Sequence, residues 1–299
     1  MGVTRHGLSL ALATLAVAGC ESGGPPTKPQ VVATVYPLWE FSRQVAGARA
    51  DAVALVPPGV EPHDWEPSPR DVSLTRRASV LVHSGTGLDA WSQKLLTGGA
   101  GPRVVVDASR GLDLIRSGGV VDPHAWLDPR LARAQVEAIE AGLAQADPPG
   151  RATYSANARA YAARLDALDR AFREGLQDCA RRDLVTAHAA FGYLARRYRL
   201  TEWPAMGLTP EAEPSPADLA ALVRRARELK VTHVFYEPLV SPRIAETLGR
   251  EIGARPLPLD PVEGLTRQDS EAGLGYVELM QANLANLRTA LDCRKPVGP

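Results

Sequence analysis

Residues 151–179, RATYSANARAYAARLDALDRAFREGLQDC, carry the clearest helical pattern in the chain. From Tyr154 to Cys179, apolar side chains recur every three or four residues, and arginine, aspartate and glutamate fill the opposite face. No proline interrupts this run, and Gly175 is its only glycine. A helix over the 26 residues from Tyr154 to Cys179 is about 39 Å long, which is long for a helix of a globular protein. The pattern therefore predicts a rigid connecting helix, assigned to residues 151–180.

Short runs of β-branched residues alternate with helical patterns on both sides of the connecting helix. Glycine, proline or serine bounds these runs, as is typical of strands. Strands are predicted over Val31–Val35, Val53–Val56, Val80–His83, Val104–Asp107, Leu184–Ala187 and Val231–Tyr236. Helices are predicted over Trp39–Val45, Ser68–Ala78, Leu88–Leu96, Leu131–Leu143, Phe191–Tyr198, Ala217–Lys230, Ser241–Ile252 and Tyr276–Leu291.

This alternation is typical of βαβ units, in which parallel strands are covered by helices. We therefore expect an α/β fold with two lobes, residues 31–150 and residues 181–299, each a mostly parallel sheet flanked by helices. One long rigid helix joins the two lobes. The 34 basic and 34 acidic residues give a formal net charge of zero. Because phosphate binding needs a basic surface, this balance argues against nucleic acid as a partner.

The first 19 residues are predicted to be a signal peptide. The apolar run over residues 8–17 is about 15 Å long as a helix, too short for a bilayer core of about 30 Å. It ends in VAGC at residues 17–20, which resembles a lipobox whose Cys20 becomes lipidated. An ordinary cleavage site with an incidental cysteine is the alternative. We expect residues 20–30 to be a lipidated tether that holds an exported protein on the periplasmic or extracellular face of the cell membrane.

Two cysteines remain in the exported part of the chain, Cys179 and Cys293. An even number of cysteines in an oxidising compartment favours a disulfide bond. This bond would close a loop of 114 residues and would stabilise the fold by about 4–5 kcal/mol if chain entropy dominates. Two buried free thiols are the alternative.

Three histidines occur in similar settings, either between prolines or directly after a strand. His63 and His124 lie in proline-bounded loops, and His188 follows the strand predicted to end at Ala187. Ligands of α/β sheets bind at the carboxyl ends of strands, and neutral imidazole is a common metal ligand. These three residues are therefore candidate metal ligands, whereas His83 and His233 lie in apolar strand runs and are interpreted as structural.

Four motifs occur in order along the chain: PPGVEPHDWEPSP at 57–69, DPHAWLDP at 122–129, HAAFGY at 188–193 and EPSP at 213–216. With these motifs, nearly the whole mature sequence resembles the zinc- and manganese-binding lipoproteins of bacterial ABC importers, the cluster A-I (ZnuA/TroA-like) solute-binding proteins. Many zinc-binding members carry a long histidine-rich loop after the first ligand, but residues 84–121 contain no histidine. A metal-collecting arm is therefore not expected here.

The resemblance implies a metal site in the cleft between the lobes. It assigns His63 and His124 from the N-terminal lobe, His188 from the C-terminal lobe, and Asp260 as the fourth ligand. Nearby carboxylates, Glu61 and Asp64 among them, or water could instead supply the fourth donor, with Asp260 serving only to form a turn before Pro261. The implied partners are the permease and the ATPase of an ABC transporter, and we expect the protein to be a monomer.

The donor set decides the expected metal and the expected chemistry. Three imidazoles and a carboxylate suit tetrahedral Zn²⁺, whereas Mn²⁺ prefers more oxygen ligands and is the second candidate. We expect capture of Zn²⁺ and delivery to the importer, not an enzyme. A zinc hydrolase or lyase with an open three-histidine site is one alternative, although the sequence has neither an H-E-x-x-H nor a G-x-S-x-G motif. A metal-binding surface adhesin is another.

Overall fold

The computed structural model describes residues 1–2, 28–97, 101–117, 119–209 and 214–294. Cys20, Glu213 and nearly all of the predicted signal peptide and tether lie outside these residues. Within the described part of the chain, no helix combines the length and the apolar character that crossing a membrane requires.

Ten strands and ten helices form the fold, together with four short 3₁₀ turns, among the residues described. The strands are β1 Gln30–Ala33, β2 Asp51–Ala54, β3 Val80–His83, β4 Val104–Asp107, β5 Arg116–Ser117, β6 Val120–Val121, β7 Asp183–Thr186, β8 Thr201–Pro204, β9 His233–Tyr236 and β10 Arg255–Pro258. The helices are α1 Tyr36–Ala46, α2 Pro69–Arg77, α3 Ser92–Leu96, α4 Pro129–Ala146, α5 Arg151–Leu176, α6 Gly192–Tyr198, α7 Pro216–Glu228, α8 Arg243–Ile252, α9 Arg267–Glu271 and α10 Tyr276–Ala290.

The N-terminal lobe contains a four-stranded parallel sheet with the order β2-β1-β3-β4. β3 is buried throughout and β1 nearly so, which explains why both strands are continuous apolar runs and not alternating ones. All four predicted strands of this lobe are present, although β2 begins two residues earlier than predicted. The predicted helix Leu88–Leu96 is instead a 3₁₀ turn, Gly87–Asp89, followed by the short helix α3.

The C-terminal lobe contains two parallel pairs, β7 with β8 and β9 with β10, and β7 lies beside β9. The sequence did not indicate β8 or β10, because proline ends β8 and occurs twice in β10. Each of these strands pairs with one neighbour only in the described structure, and an edge strand tolerates proline because its outward N–H needs no partner. The α/β fold with mostly parallel sheets is confirmed.

Helix α5 is the predicted connecting helix. It has 26 residues and packs against α1 and α4 of the N-terminal lobe and against α10 of the C-terminal lobe. Tyr154, Leu165 and Phe172 on its inner face are fully buried, and they belong to one apolar core that also contains Val31 and Leu287 from the two lobes. Because the core is continuous across both lobes, relative movement of the lobes would expose apolar surface to water.

The predicted disulfide bond between Cys179 and Cys293 is present. It joins the chain just after α5 to the chain just after α10. The end of the connecting helix is thereby covalently fixed to the last helix of the C-terminal lobe.

Candidate metal centre

Three loops bring the imidazoles of His63, His124 and His188 together. His63 lies in a 3₁₀ turn, Pro62–Asp64, and His124 precedes another, while His188 lies two residues after the end of β7. The ring centroids are 6.0 Å apart for His63 and His124, 5.9 Å for His63 and His188, and 5.3 Å for His124 and His188. His63 and His124 are 61 positions apart in the sequence, and His124 and His188 are 64 apart, yet the three rings meet at one point between the lobes.

Glu263 is the fourth member of this group. Its Oε1 lies 2.8 Å from Nε2 of His124 and 3.5 Å from Nε2 of His188, and its Oε2 lies 3.2 Å from Nε2 of His63. One donor atom from each of the four residues lies within 4.8 Å of the others. The four side chains are at most 4% exposed, so the group is shielded from water.

Asp260, the fourth donor that the resemblance implies, does not lie in this group. Its Oδ1 accepts the backbone N–H of Val262 at 2.7 Å, and its own backbone N–H and carbonyl bond the side chain of Asn283 at 2.8 and 2.6 Å. Val262 has a φ of 56°, a left-handed conformation that β-branched residues rarely adopt. Asp260 therefore stabilises the turn that places Glu263 among the imidazoles.

The loop that carries Glu263 is also fixed by the N-terminal lobe. Trp126 donates a hydrogen bond from Nε1 to the carbonyl of Pro261 at 2.8 Å, and Tyr36 donates its backbone N–H to the carbonyl of Glu263 at 3.3 Å. Trp126 is itself fully buried. The acidic donor thus comes from the C-terminal part of the sequence, but residues of both lobes hold it in place.

Two further carboxylates orient the histidine rings. Asp122 Oδ1 lies 2.8 Å from Nδ1 of His124, and Glu237 Oε1 lies 2.6 Å from Nδ1 of His188. A carboxylate at this distance accepts a proton-bearing Nδ1–H, which leaves Nε2 as the donor atom toward the centre. Both rings therefore present the same nitrogen to the space between them.

The pKa values of the group reflect its buried opposite charges. Burial alone would lower the pKa of His124, but the charge of Glu263 and the hydrogen bond with Asp122 raise it to about 9. In the same way, burial is outweighed at His188 by Glu237 and Glu263, which raise its pKa to about 10. Burial would raise the pKa of Glu263, but the nearby imidazoles hold it well below its usual value. Without a cation, protons on these rings balance the carboxylate.

The donor atoms lack satisfactory partners of their own. Nε2 of all three histidines and Oε1 of Glu263 are buried, and none forms a hydrogen bond of acceptable geometry with a described residue, although they lie within ion-pairing distance. Buried polar atoms normally have partners. Convergence of four such atoms within 4.8 Å fits a divalent cation that bonds to all of them.

The other candidate residues lie outside the group. Glu61 accepts the backbone N–H of His63 at 3.3 Å and lines a narrow adjoining cavity, where burial and the charge of Glu263 raise its pKa to about 8. Asp64 is exposed and is not part of the group. His83 and His233 also lie elsewhere, at the end of β3 and the start of β9.

Sequence reasoning missed Glu263 and the two carboxylates that orient the rings. Asp122 could have been found from its place two residues before His124, and Glu237 from its position directly after β9, at the carboxyl end of a strand. Glu263 has no such signal, because contacts with distant residues determine its position.

Comparison with protein families shows what this chain resembles. Residues 31–290 match the family described as ZnuA, zinc-uptake complex component A, periplasmic. The high-affinity zinc uptake system protein ZnuA of Bacillus subtilis (strain 168) is 36% identical over 282 residues, which cover 88% of each chain. The zinc-binding lipoprotein AdcA of Streptococcus pneumoniae serotype 4 is 36% identical over 285 residues, which are 90% of this chain and 57% of AdcA. The chain thus spans little more than half of AdcA.

A solved structure of a ZnuA-like domain is also similar to this chain. The Zn(II)-bound ZnuA-like domain of Streptococcus pneumoniae AdcA superimposes with a TM-score of 0.79 and is 37% identical in sequence. The match covers 89% of this chain and 99% of that domain.

Proposed function

Because this chain belongs to the ZnuA family of zinc-uptake components, we propose that it captures Zn²⁺ outside the cytoplasmic membrane and delivers it to the permease of an ABC importer. One observation carries the proposal: four buried donor atoms, from His63, His124, His188 and Glu263, converge within 4.8 Å. We propose that these four residues bind the ion that is transported.

The chemistry of the donors favours Zn²⁺. Three imidazole nitrogens and one carboxylate oxygen give a nitrogen-rich set of four, which Zn²⁺ accepts in tetrahedral geometry. Mn²⁺ prefers more oxygen ligands and binds most weakly of the first-row divalent metals. The Zn(II)-bound form of the similar AdcA domain supports this choice.

The geometry also supports transport over catalysis. A catalytic zinc site keeps one position open for water or substrate, with three protein ligands. Here Glu263 supplies a fourth protein donor, and all four side chains are at most 4% exposed. A site closed in this way holds an ion but offers no position for a reacting molecule.

The remaining parts of the chain are assigned to complete this function. We propose a signal peptide over residues 1–19, a tether over residues 20–30 with a lipid on Cys20, lobes over 31–150 and 181–299, and a connecting helix over 151–180. The protein works as a monomer with the permease and the ATPase of the importer. The metal bridges the two lobes, and the continuous core around α5 restricts their movement.

Metal analysis of the purified protein tests the choice of ion. We expect one Zn²⁺ per chain, and we expect Zn²⁺ to displace Mn²⁺ in a competition titration. Retention of Mn²⁺ against equimolar Zn²⁺ would contradict the proposal. Cells that lack the protein should take up zinc slowly at low external concentration, and the natural chain, but not His124→Ala, should restore uptake.

A further inference from the structure

The edge of the N-terminal sheet that faces away from the metal centre carries a basic cavity of about 470 Å³. Its walls include Lys28 before β1, Arg49 after α1, Arg77 at the end of α2 and Arg103 just before β4. Residues that precede parallel strands lie at the sheet edge opposite the loops that follow the strands. We call this cavity the basic floor.

The walls of the basic floor contain more positive than negative charge. Asp147 is the one acidic side chain among the described residues that line it, and Arg49 engages both of its oxygens at 2.8 and 2.9 Å. Lys28 lies 3.8 Å from Asp51 at the rim, and both side chains are more than half exposed. Solvent therefore weakens this second ion pair, and Lys28 remains available to another anion.

Two guanidinium groups of the basic floor have no acidic partner among the residues that the structure describes. Arg77 donates one hydrogen bond to the hydroxyl of Ser73 at 3.2 Å, and neither Arg77 nor Arg103 forms an ion pair with a residue in the described ranges. Both arginines are exposed. A guanidinium group recognises phosphate well because it donates two parallel hydrogen bonds to neighbouring oxygens.

The chain that precedes the described fold joins it at the basic floor. Lys28 lines the cavity, and Cys20, the proposed site of the lipid, is eight residues earlier. Eight residues span at most about 29 Å. The folded part of the chain, residues 28–294, has an expected radius of gyration of about 18 Å. It is therefore wider than the tether is long. A lipid on Cys20 would consequently keep the basic floor close to the membrane surface.

We propose that the basic floor binds the phosphate groups of anionic phospholipids in the membrane that holds the lipid anchor. The proposal rests on the proposed lipidation of Cys20 and adds a second, electrostatic contact to it. Binding holds the N-terminal lobe against the membrane while the metal centre, at the opposite sheet edge, faces away from it. In this orientation the protein can take up metal from solution between deliveries.

Vesicle sedimentation with the chain from residue 20 onward, carrying Cys20→Ser, tests the proposal. This chain retains all the described elements from β1 to α10 and has no lipid or apolar leader to bind vesicles by itself. We expect it to bind phosphatidylcholine vesicles that contain phosphatidylglycerol but not phosphatidylcholine alone, and to dissociate at high salt. Since each basic residue near an anionic surface strengthens partitioning about fivefold, Arg77→Gln/Arg103→Gln should weaken it about 25-fold, with unchanged zinc affinity.

A matched variant, Arg224→Gln/Arg243→Gln, removes the same charge from exposed positions of the C-terminal lobe. It should bind vesicles nearly as well as the unsubstituted chain, because charges beyond a Debye length are screened. Equal weakening by both variants would overturn the proposal in favour of non-specific attraction. Binding of inorganic phosphate without any vesicle binding would overturn it in favour of a soluble anion.

The lipid anchor is tested separately. The mass of the N-terminal peptide from cells shows whether Cys20 is modified, and this result does not affect vesicle binding by Cys20→Ser. An unmodified Cys20 would overturn the anchor, whereas an absence of vesicle binding would overturn the role of the basic floor.

Discussion

The two lobes orient His124 and His188, two of the proposed metal ligands, through the same contacts but over very different distances along the chain. Asp122 Oδ1 lies 2.9 Å from the backbone nitrogen and 2.8 Å from Nδ1 of His124, two residues away in the same loop. Glu237 Oε1 makes the same two contacts with His188, at 3.3 and 2.6 Å, across 49 residues of sequence. The orientation of His124 is therefore set locally, whereas that of His188 depends on how β7 and β9 pack together.

The position of Glu263, like that of His188, depends on residues that are distant in the sequence. Its loop is held by Trp126 and Tyr36 of the N-terminal lobe and, through Asp260, by Asn283 on α10. The carboxylate can therefore reach the centre only when both lobes have folded and packed. The N-terminal lobe supplies donors that are ordered by nearby residues, and the C-terminal lobe supplies donors that are ordered by tertiary structure.

The largest effect is expected from removing an imidazole of either lobe. His124→Ala and His188→Ala should each lower zinc affinity by more than the roughly 10–100-fold that loss of an orienting partner costs. The metal-free His124→Ala protein should stay folded, because the continuous apolar core around α5 does not include this ring. Competition with a chromogenic chelator measures affinity, and circular dichroism checks the fold.

His233→Ala is the matched control, since His233 lies outside the centre at the start of β9. It should retain the zinc affinity of the natural chain. If metal-free His124→Ala unfolds, His124 is a structural residue. The conclusion that nearby residues serve to order His124 as a donor then fails.

The next largest effect is expected from replacing the acidic donor. Glu263→Gln keeps the shape of the side chain but removes its charge, and it should lower zinc affinity more than about 100-fold. Asp260→Asn keeps an oxygen that can accept the N–H of Val262, so the turn should persist and affinity should fall by less than about tenfold. Isothermal titration of both variants decides between them. Equal losses would assign Asp260 a direct part in binding.

The pH dependence tests whether each lobe contributes one imidazole with a raised pKa. With pKa values of about 9 for His124 and about 10 for His188, both rings carry a proton at pH 7 when no metal is bound. Zn²⁺ binds only neutral Nε2, so binding should release about two protons, and affinity should rise about 100-fold per pH unit between pH 6 and 8. Calorimetry in buffers of different ionisation enthalpy counts these protons.

Unperturbed imidazoles, with pKa values of about 6.5, would give an affinity that levels off above pH 7. Release of much less than one proton at pH 7.5 would therefore contradict the raised pKa values. A release close to one would show that only one of the two lobes holds its histidine in the charged form.

The same difference between the lobes explains what the sequence could predict. The connecting helix and the buried strands β1 and β3 were predictable, because their patterns follow from burial along a single element. His63, His124 and His188 were predictable as candidates from proline-bounded loops and strand ends. The structure brings Glu263 and not Asp260 to the imidazoles, and the sequence could not predict this, because a left-handed Val262 and hydrogen bonds from residues more than 20 positions away leave no local trace.

The smallest effect is expected from Tyr193, a residue of α6 that joins the lobes beside the centre. Its hydroxyl donates to the carbonyl of Asp122 at 2.7 Å and accepts the N–H of Ile115 at 3.0 Å. Since Asp122 orients His124, these bonds connect the loop of a proposed N-terminal ligand to the helix that follows His188. Tyr193→Phe removes both bonds and keeps the ring, at a cost of about 1 kcal/mol in stability for each bond.

Zinc affinity of Tyr193→Phe should fall by less than the roughly tenfold lower limit for an orienting partner, because Asp122 itself remains. Tyr198→Phe is the matched control on the same helix: its hydroxyl donates to Asp169 of α5 at 3.2 Å and contacts neither ligand loop. This control should lower the free energy of unfolding by about 1 kcal/mol and leave zinc affinity unchanged. If both variants lower affinity equally, stability alone accounts for the loss. A loss confined to Tyr193→Phe would show that the locally ordered N-terminal donors also depend on contact with the other lobe.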